Sequence, residues 1–367
     1  MTTTKVAIQV RRDTATNWST NNPVPKSGEW CFETDTGKVK IGNGSSNYNS
    51  LGYIALNTDV VEALKGFKEV DRVYDGENLA TKFASEISGY TDIYAWLKAR
   101  IYANNFTGIH VGDYFQYSQT AQTITDGNTT ISLPAKTMTA KIMGIDTYYQ
   151  YGDTAVPHHI DFITTTNIGV NIQWNPQNNN NGTADQENPW LASKLYACLN
   201  GVDNYSTNAY NSIPHGYAIT NSSGSVLASM PANLQSAIVT KRQYMSKRYS
   251  NSGLLTAASG GVWGNMGKLW LPTEQEVYGQ SIHSGGSKEA NTGLDRGIMG
   301  TPVQYPLFAG TAGDRNKKLL GRASWWLASV PTGSSARACL VYSYGYAGAF
   351  DCANTAVGAP VCFRITA

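Results

Sequence analysis

The chain has 367 residues, more than one ordinary domain holds, so the sequence predicts two or more compact units. Charged residues make up only 15% and the formal net charge is +2, without a basic stripe, which disfavours nucleic acid as a partner. No run approaches the roughly 18 apolar residues of a membrane span, and the first residues lack the apolar core of a signal peptide. We therefore expect no membrane insertion and no secretory export, with synthesis in the cytoplasm.

The first region, residues 1–55, alternates short apolar pairs with turn dipeptides. Three segments are predicted strands, at Lys5–Val10, Gly28–Asp35 and Lys38–Gly42. Asp-Thr-Gly at 35–37 joins the second and third as a hairpin, because these residue types suit tight turns. The sequence predicts a small all-β unit here.

The second region, residues 56–104, changes to helical spacing. Apolar residues recur every fourth position at Leu79, Phe83 and Ile87, and Thr91 is a candidate cap for a second helix. The apolar face of that second helix comprises Ile93, Trp96, Leu97 and Ile101. Helices this short need partners. Two arrangements stay open for this short helical connector: a helical pair docked on its neighbours, or a bundle around a threefold axis.

The third region, residues 105–367, is rich in Gly, Asn and Tyr. Its predicted helices begin at prolines and cover 189–199, 231–239 and 272–277. Predicted strands include 140–145 and 159–163. The asparagine run Gln177–Gly182 is typical of a solvated loop. The five cysteines are spaced widely and irregularly, which predicts buried, reduced thiols rather than a disulfide framework or a zinc site: they are Cys31, Cys198, Cys339, Cys352 and Cys362.

Near the C-terminus, the residues from Cys339 to Tyr346 alternate in the manner of a β-strand. With a period of two, Tyr342, Tyr344 and Tyr346 would share one face. Exposed rings of this kind form a binding surface at low entropic cost. The alternative is that they pack on a neighbouring strand as cross-strand pairs. We also expect Trp325 or Trp326 to be a core residue and Arg364 to form a structural ion pair.

Motifs of enzymatic chemistry are missing from the sequence. It contains no Gly-x-Ser-x-Gly, His-Glu-x-x-His or phosphate-loop pattern. The rings of His158 and His159 should diverge from a strand, which disfavours a metal site. We expect no enzymatic activity, no metal and no cofactor. A depolymerase would need paired carboxylates in a groove, and a sequence cannot place two such groups.

The N-terminus resembles the attachment module of phage tail proteins, a family that includes the major tropism determinant and tail-fibre hyaluronidases. The matching segments are Ile8–Trp18, Asn22–Val24, Gly28–Glu29, Glu33–Gly44 and Tyr48–Leu51. The resemblance implies a β-prism-like trimeric module at residues 1–55 that fixes the protein to the virion. It also implies a tail or baseplate protein as partner and a virion location.

The C-terminus is similar to a domain with a C-type-lectin or formylglycine-generating-enzyme-like fold. The similarity lies in Leu269–Gly279, Ser324–Ser329 and Gly358–Ile365, with Asn188–Trp190 matching an earlier helix. It implies that residues 105–367 form an α+β C-type-lectin-like domain within a mainly β chain. Such motifs are structural, so they imply fold better than activity.

Together the two resemblances match the major tropism determinant architecture, in which a retroelement diversifies the last segment. Residues 334–357 lie between the two framework blocks and are rich in residue types that adenine mutagenesis of Asn codons produces. The implied receptor-binding residues are Arg337, Tyr342, Tyr344, Tyr346, Phe350, Asp351 and Asn354.

These features predict a homotrimeric phage receptor-binding protein that adheres to a protein or glycan on a bacterial surface. The alternative is a tail-associated, hyaluronidase-like depolymerase of surface polysaccharide.

Overall fold

A computed structural model describes residues 10–54, 74–125, 130–183, 186–201, 224–250, 252–284 and 303–367. Contacts divide the chain into two units, Met1–Val73 and Tyr74–Ala367. The architecture is mainly β, with several small sheets, one curled half-barrel sheet and short helices. No helix in the described ranges is long and apolar enough to cross a membrane.

The smaller unit consists of a three-stranded sheet and a helix. In chain order its elements are β1 (Arg11–Asp13), α1 (Ala15–Asn21), β2 (Trp30–Glu33) and β3 (Val39–Ile41), followed by a 3₁₀ turn at Tyr48–Ser50. Strand β2 pairs with β1 in parallel and with β3 antiparallel. The all-β prediction is therefore wrong for this unit, and the predicted strand at residues 5–10 lies almost wholly outside the described residues.

Local chemistry explains the missed helix α1. The Thr14 hydroxyl accepts a hydrogen bond from the Asn17 N–H at 3.2 Å, which satisfies a donor at the helix start. Asn22 ends the helix in the left-handed region with a φ of 39°. The only large apolar residue of α1 is Trp18, which stacks on Tyr48 with centroids 4.9 Å apart. One buried ring in seven residues leaves no apolar periodicity to read.

A buried carboxylate organises the rest of the small core. Glu33 accepts hydrogen bonds from the hydroxyls of Tyr48 at 2.5 Å and Tyr53 at 2.6 Å. The buried Lys40 ammonium lies 4.3 Å from the Tyr48 ring centroid and donates to the Tyr48 carbonyl at 2.9 Å. Polar contacts thus stabilise the core of this unit together with apolar packing.

The larger unit begins with short helices. They are α2 (Leu79–Lys82), α3 (Ala84–Ile87) and α4 (Ile93–Tyr102). Asp92, not Thr91, caps α4, because its carboxylate accepts from two backbone N–H groups at 2.8 and 2.9 Å. The apolar face of α4 is buried in the core of the larger unit. The helices described within 74–104 therefore belong to that unit, which favours docking on neighbours; residues 56–73 of the predicted connector lie outside the described residues.

Past α4 the chain alternates strands and short helices. The strands are β4 (Tyr114–Gln119), β5 (Gln122–Thr125), β6 (Thr130–Leu133), β7 (Lys136–Ile145), β8 (His159–Thr164), β9 (Ile238–Val239), β10 (Arg242–Lys247), β11 (Gly260–Asn265), β12 (Trp325–Trp326), β13 (Arg337–Val341), β14 (Ala347–Asp351) and β15 (Cys362–Thr366). The helices are α5 (Lys194–Asn200), α6 (Ala232–Ala237), α7 (Glu274–Tyr278) and α8 (Gly310–Asn316), and a kinked turn follows at Leu319–Arg322. All three helices predicted from prolines are present, each shorter than predicted.

An antiparallel five-stranded sheet forms the centre of the larger unit, in the order β4, β7, β8, β15, β9. The C-terminal strand β15 is thus an interior strand, and every residue of it and of β8 is buried. The strands predicted at 140–145 and 159–163 are confirmed as parts of β7 and β8, although β8 carries His159 and Asp161 among its buried residues.

One buried ion pair joins two strands of this sheet, and a second lies beside the sheet. Arg364 on β15 grips Asp161 on β8 with two hydrogen bonds of 2.7 Å, and the Tyr305 hydroxyl donates to the same carboxylate at 2.8 Å. The predicted structural pairing of Arg364 is confirmed. Lys241 pairs with Glu276 on α7, and its ammonium lies 4.0 Å from the Trp270 ring centroid. Buried charges persist only when paired and hydrogen-bonded in this way.

A smaller sheet of β12, β13 and β14 carries the last hairpin. Trp325 and Trp326 on β12 are both fully buried, which confirms the predicted core position of at least one. Their indole N–H groups donate to the carbonyls of Lys317 at 2.9 Å and Ile172 at 2.7 Å. The hairpin of β13 and β14 is therefore anchored along its inner strand by two large buried rings.

Candidate functional site

The candidate site is the hairpin of β13 and β14. A turn over 342–346 joins the two strands, closed by a 2.9 Å hydrogen bond from the Tyr342 N–H to the Tyr346 carbonyl. Gly345 adopts a φ of 92°, which strongly favours glycine. The prediction of a continuous strand from 339 to 346 is therefore wrong, because the chain reverses at Gly345. The three tyrosines sit in and beside a turn rather than on one strand face.

The turn nevertheless brings these rings together. Phe350 packs edge-on against Tyr342 at 5.2 Å, and Tyr342 lies 4.7 Å from Tyr346. Tyr344 and Tyr346 are parallel within 3°, with centroids 6.4 Å apart. We call these four residues the aromatic ladder. Its base packs partly against the core, whereas Tyr344 is 70% and Tyr346 55% exposed. Both alternatives for the tyrosine rings therefore occur: Tyr342 packs partly against the core, whereas Tyr344 and Tyr346 are exposed.

A shallow groove of about 320 Å³ lies beside the base of the ladder. Across it, the Arg337 Nε donates to the Asp351 carboxylate at 3.1 Å, and both side chains are more than half exposed. We call it the hairpin groove, and five of the seven predicted site residues line it: Arg337, Tyr342, Phe350, Asp351 and Asn354. The other two predicted residues, Tyr344 and Tyr346, extend the same surface through the ladder.

The asparagine run explains how the hairpin backbone is held. Asn179, Asn180 and Asn181 are buried, so the prediction of a solvated loop is wrong for them. The Asn180 side-chain amide donates to the carbonyls of Ser334 at 2.8 Å and Arg337 at 2.6 Å. An asparagine side chain carries a hydrogen-bond donor and an acceptor close to the backbone. Buried asparagines can therefore pair with backbone groups that no neighbouring strand satisfies. Single-sequence patterns cannot distinguish this use from solvation.

A buried arginine completes that support. Arg248 donates to the Asn180 side-chain oxygen at 3.0 Å, to the Ser334 carbonyl at 2.9 Å and to the Pro331 carbonyl at 2.9 Å. On the opposite side, the Asn178 side chain accepts from the Ala353 N–H at 3.1 Å. Both ends of the hairpin are therefore fixed by side chains from outside it. Sequence reasoning missed Arg248, because it directly follows Lys247 in a segment that also carries Lys241 and Arg242, and nothing local separates a buried cation from exposed ones.

The cysteines and the two adjacent histidines are the residues whose chemistry was considered from the sequence. All five cysteines are buried, as predicted. Burial raises the pKa of Cys352 and of Cys362, which keeps both thiols protonated and poorly nucleophilic. His159 is buried and accepts from the Tyr148 N–H at 3.2 Å, whereas His158 contacts Asp146 at 2.6 Å. Within the described ranges, no group of three His, Cys, Asp or Glu side chains could hold a metal ion.

One family model matches the N-terminal part of the chain. Residues 8–46 match the family model described as the major tropism determinant N-terminal domain. This match supports the phage tail-fibre family and, with it, a virion location. It covers much of the smaller unit and none of the larger one.

Two solved structures are also similar over part of the chain. One is a group A streptococcal phage-encoded tail-fibre showing hyaluronan lyase activity, at 20% identity. The other is a Streptococcus pyogenes bacteriophage-associated hyaluronate lyase, at 22% identity. Each match covers 24% of this chain and 31% of the other, so the chain spans less than a third of their length. The TM-score of 0.13 in both cases is too low to indicate a shared fold. No curated protein matches the chain in sequence.

Proposed function

We propose that this protein is a phage receptor-binding protein that adheres to a bacterial surface through the hairpin of β13 and β14. The proposal rests on one observation: the backbone of that hairpin is fixed, whereas several of its side chains are exposed. Asn180 and Arg248 hold its backbone from outside, whereas the aromatic ladder and the hairpin groove present its side chains to solvent. Binding energy at interfaces concentrates in a few Tyr, Trp and Arg residues, and this surface offers Tyr344, Tyr346 and Arg337 together.

The test truncates the exposed rungs of the ladder. We expect Tyr344→Ala and Tyr346→Ala each to weaken adsorption to host cells by roughly 1–4 kcal/mol, because they remove rigid contact area. Their melting temperatures should barely change, because surface substitutions usually shift stability by less than about 0.5 kcal/mol. Tyr102→Ala is the matched control, since Tyr102 is 84% exposed on α4, away from the hairpin.

Adsorption and melting are measured on the same preparations. Adsorption lost at unchanged melting in the two hairpin variants, but not in the control, supports the proposal. A large melting drop, with adsorption merely following the folded fraction, contradicts it and assigns the rings to packing.

The larger unit is proposed to be C-type-lectin-like. Supporting this are an antiparallel sheet with the C-terminal strand inside it and a second small sheet that carries the binding hairpin. The proposed diversification by a retroelement rests on the same hairpin, because a backbone held by Asn180 tolerates change in its exposed side chains. A template repeat beside a reverse transcriptase in the neighbouring DNA is the expected finding, and a locus without either contradicts it.

We further propose that the smaller unit attaches the protein to the phage tail or baseplate and that the full chain is a homotrimer. The small buried core, of Trp18, Cys31 and Tyr48, supports this, because a unit with so little self-burial gains from association. Light scattering of the full chain should return three times the chain mass. A monomer mass at micromolar concentration would contradict the trimer.

Adhesion without catalysis is also part of the proposal. The hairpin groove is lined by one carboxylate, that of Asp351, and it is already paired with Arg337. Glycoside hydrolysis ordinarily uses two carboxylates flanking the bond. We expect no release of reducing ends from purified host polysaccharide. Release that disappears on mutation of one acidic residue would favour the depolymerase instead.

A further inference from the structure

A second groove, of about 430 Å³, lies on the larger unit outside the predicted site. Four cationic side chains line it, with Asp75 as the single carboxylate: Lys141, Arg315, Lys318 and Arg322. We call it the basic groove. In a chain whose net charge is only +2, four cations around one cavity are a marked local concentration.

The charges of the basic groove are not balanced from within. Asp75 forms an ion pair with Arg315 at 2.7 Å, and its carbonyl accepts from Lys141 at 3.0 Å. Lys318 and Arg322 pair with no carboxylate in the described part of the chain. Burial, with the nearby charge of Arg315, lowers the pKa of Lys141 although Asp75 opposes the change. The groove therefore has a net charge of about +3, counted from four cations and one anion at neutral pH.

The backbone at the rim of the groove is strained. Leu320, Gly321 and Arg322 adopt φ values of 54°, 68° and 70°, so three consecutive residues are left-handed. Each non-glycine residue in this region costs about 1–2 kcal/mol. Strain of this kind persists where the surrounding structure imposes it, and it clusters at binding sites. The conformation leaves Arg322 exposed beside the groove.

The basic groove adjoins the hairpin turn. A Cβ placed on Gly345 would lie 3.4 Å from the side chains of both Lys317 and Lys318. The Tyr278 hydroxyl donates to the Gly345 carbonyl at 3.1 Å, and the Lys317 ammonium lies 5.2 Å from the Tyr278 ring centroid. The turn that carries Tyr344 and Tyr346 thus packs at Gly345 against the segment that carries Lys318, which places the ladder and the basic groove close together.

We propose that the basic groove is a second subsite for the same receptor, and that this receptor is an anionic surface glycan. This inference rests on the proposed adhesion through the hairpin. The parallel rings of Tyr344 and Tyr346 present flat faces whose negative charge attracts the C–H edges of sugar rings. Lys318 and Arg322 then take the carboxylate or phosphodiester groups that the polymer carries along its length.

The test measures binding of the full chain to four polymers at low and high salt. Polygalacturonate carries carboxylates, poly(glycerol phosphate) carries phosphodiesters, dextran is neutral, and single-stranded DNA is a polyanion without the same sugars exposed. We expect one of the two anionic polymers to bind best, more weakly at high salt, because exposed charges are screened. The tighter of the two identifies the anionic group.

The variants separate the two subsites. Lys318→Gln combined with Arg322→Gln should weaken binding of the preferred polymer about 5- to 30-fold, as the loss of two exposed ion pairs predicts. The charge-matched control, Arg12→Gln with Lys98→Gln, should change it less than about twofold. Lys318→Gln alone repeats the test at an unstrained residue, in case Arg322→Gln disturbs folding.

The outcomes are distinguishable from those of the proposed function. Unchanged polymer binding in the groove variants overturns the anionic subsite, and the adhesion proposal stands if Tyr346→Ala still weakens adsorption to host cells. Dextran bound as tightly as the anionic polymers, or DNA bound as tightly and unaffected by Tyr344→Ala, likewise overturns it. Loss of binding in both the groove variants and Tyr344→Ala, but not in the control, supports one receptor across both subsites.

Discussion

The larger unit contains two Arg–Asp ion pairs that differ in burial and in the number of hydrogen bonds. Arg364 and Asp161 are buried, share two hydrogen bonds of 2.7 Å, and join β15 to β8. Arg337 and Asp351 share one hydrogen bond of 3.1 Å across the hairpin groove and are more than half exposed. The first pair holds two strands of the sheet together, whereas the second lies exposed to solvent. Burial, rather than residue type, decides which function a charged pair serves.

The largest expected effect comes from breaking the buried pair. Asp161→Asn keeps the shape of the side chain but leaves the Arg364 charge uncompensated in the core. We expect a loss of about 3–5 kcal/mol in the free energy of unfolding, the usual cost of removing one partner of a buried pair. Denaturant titration measures it. A loss below about 1 kcal/mol would mean that Arg364 finds water or another partner.

Acid should act on the same buried centre. Burial alone would raise the pKa of Asp161, but the charge of Arg364 outweighs it and lowers that pKa to about 2. Burial lowers the pKa of His159 despite the opposing charge of Asp161. Both groups bind protons more readily when unfolded, so stability should fall as pH drops below about 6.5 through His159 and then from about 4 to 2 through Asp161.

The contribution of Asp161 over that lower range is about 2 kcal/mol, from a pKa difference of nearly two units. Unfolding free energies measured from pH 8 to pH 3 check the direction. A protein equally stable at both ends would contradict the assignment of a charged Asp161 and a neutral His159 in the folded state.

The next largest effect should come from removing the hydrogen bonds that Asn180 donates to the hairpin backbone. Asn180→Ala removes the side-chain donor to the Arg337 carbonyl and one of the two donors to the Ser334 carbonyl, which also accepts from Arg248. We expect a cost of about 1–3 kcal/mol in unfolding free energy. Adsorption should fall further than the folded fraction, because the hairpin loses its fixed backbone. Asn233→Ala is the matched control, since Asn233 is exposed and its side chain donates to Asp92 rather than to the hairpin. Equal effects of the two substitutions would remove the special role of the buried amide.

The smallest effect belongs to the exposed pair. Asp351→Asn makes the same chemical change as the substitution at position 161, but it should alter unfolding free energy by only about 0–1 kcal/mol. Its effect should appear in host-cell adsorption instead. A destabilisation as large as that of Asp161→Asn would show that the hairpin groove is a structural element and not a binding surface.

The comparison also shows how far prediction from sequence reaches. The strands at 140–145 and 159–163, the helices after prolines and the buried face of α4 follow from local periodicity, which survives folding when neighbours agree with it. The helix α1 was missed because it buries one side chain. The tyrosine alternation was misread because a left-handed Gly345 reverses the chain in the middle of it.

The sequence proposes seven site residues, and the fold places all seven at one hairpin. It does so through two strands and a turn rather than through the one continuous strand that was predicted. The basic groove could not be predicted. Its cations come from β7 and from the segment 315–322, which are distant along the chain and meet only because β7 lies in the central sheet beside that segment. Nothing in the local pattern around Lys141 indicates such a partner.

The sequence by itself determined the order of regions, the similarity of the N-terminus to a tail-protein family and the composition of the C-terminal segment, because these depend on residues that are neighbours in the chain. Only the tertiary structure decided which polar groups are structural and which are free. Asn180, Arg248 and Asp161 became internal supports because distant backbone and charged groups surround them. Arg337, Tyr344 and Arg322 stayed exposed because nothing folds over them in the described part of the chain. Burial is a property of the whole contact network, and no local pattern encodes it.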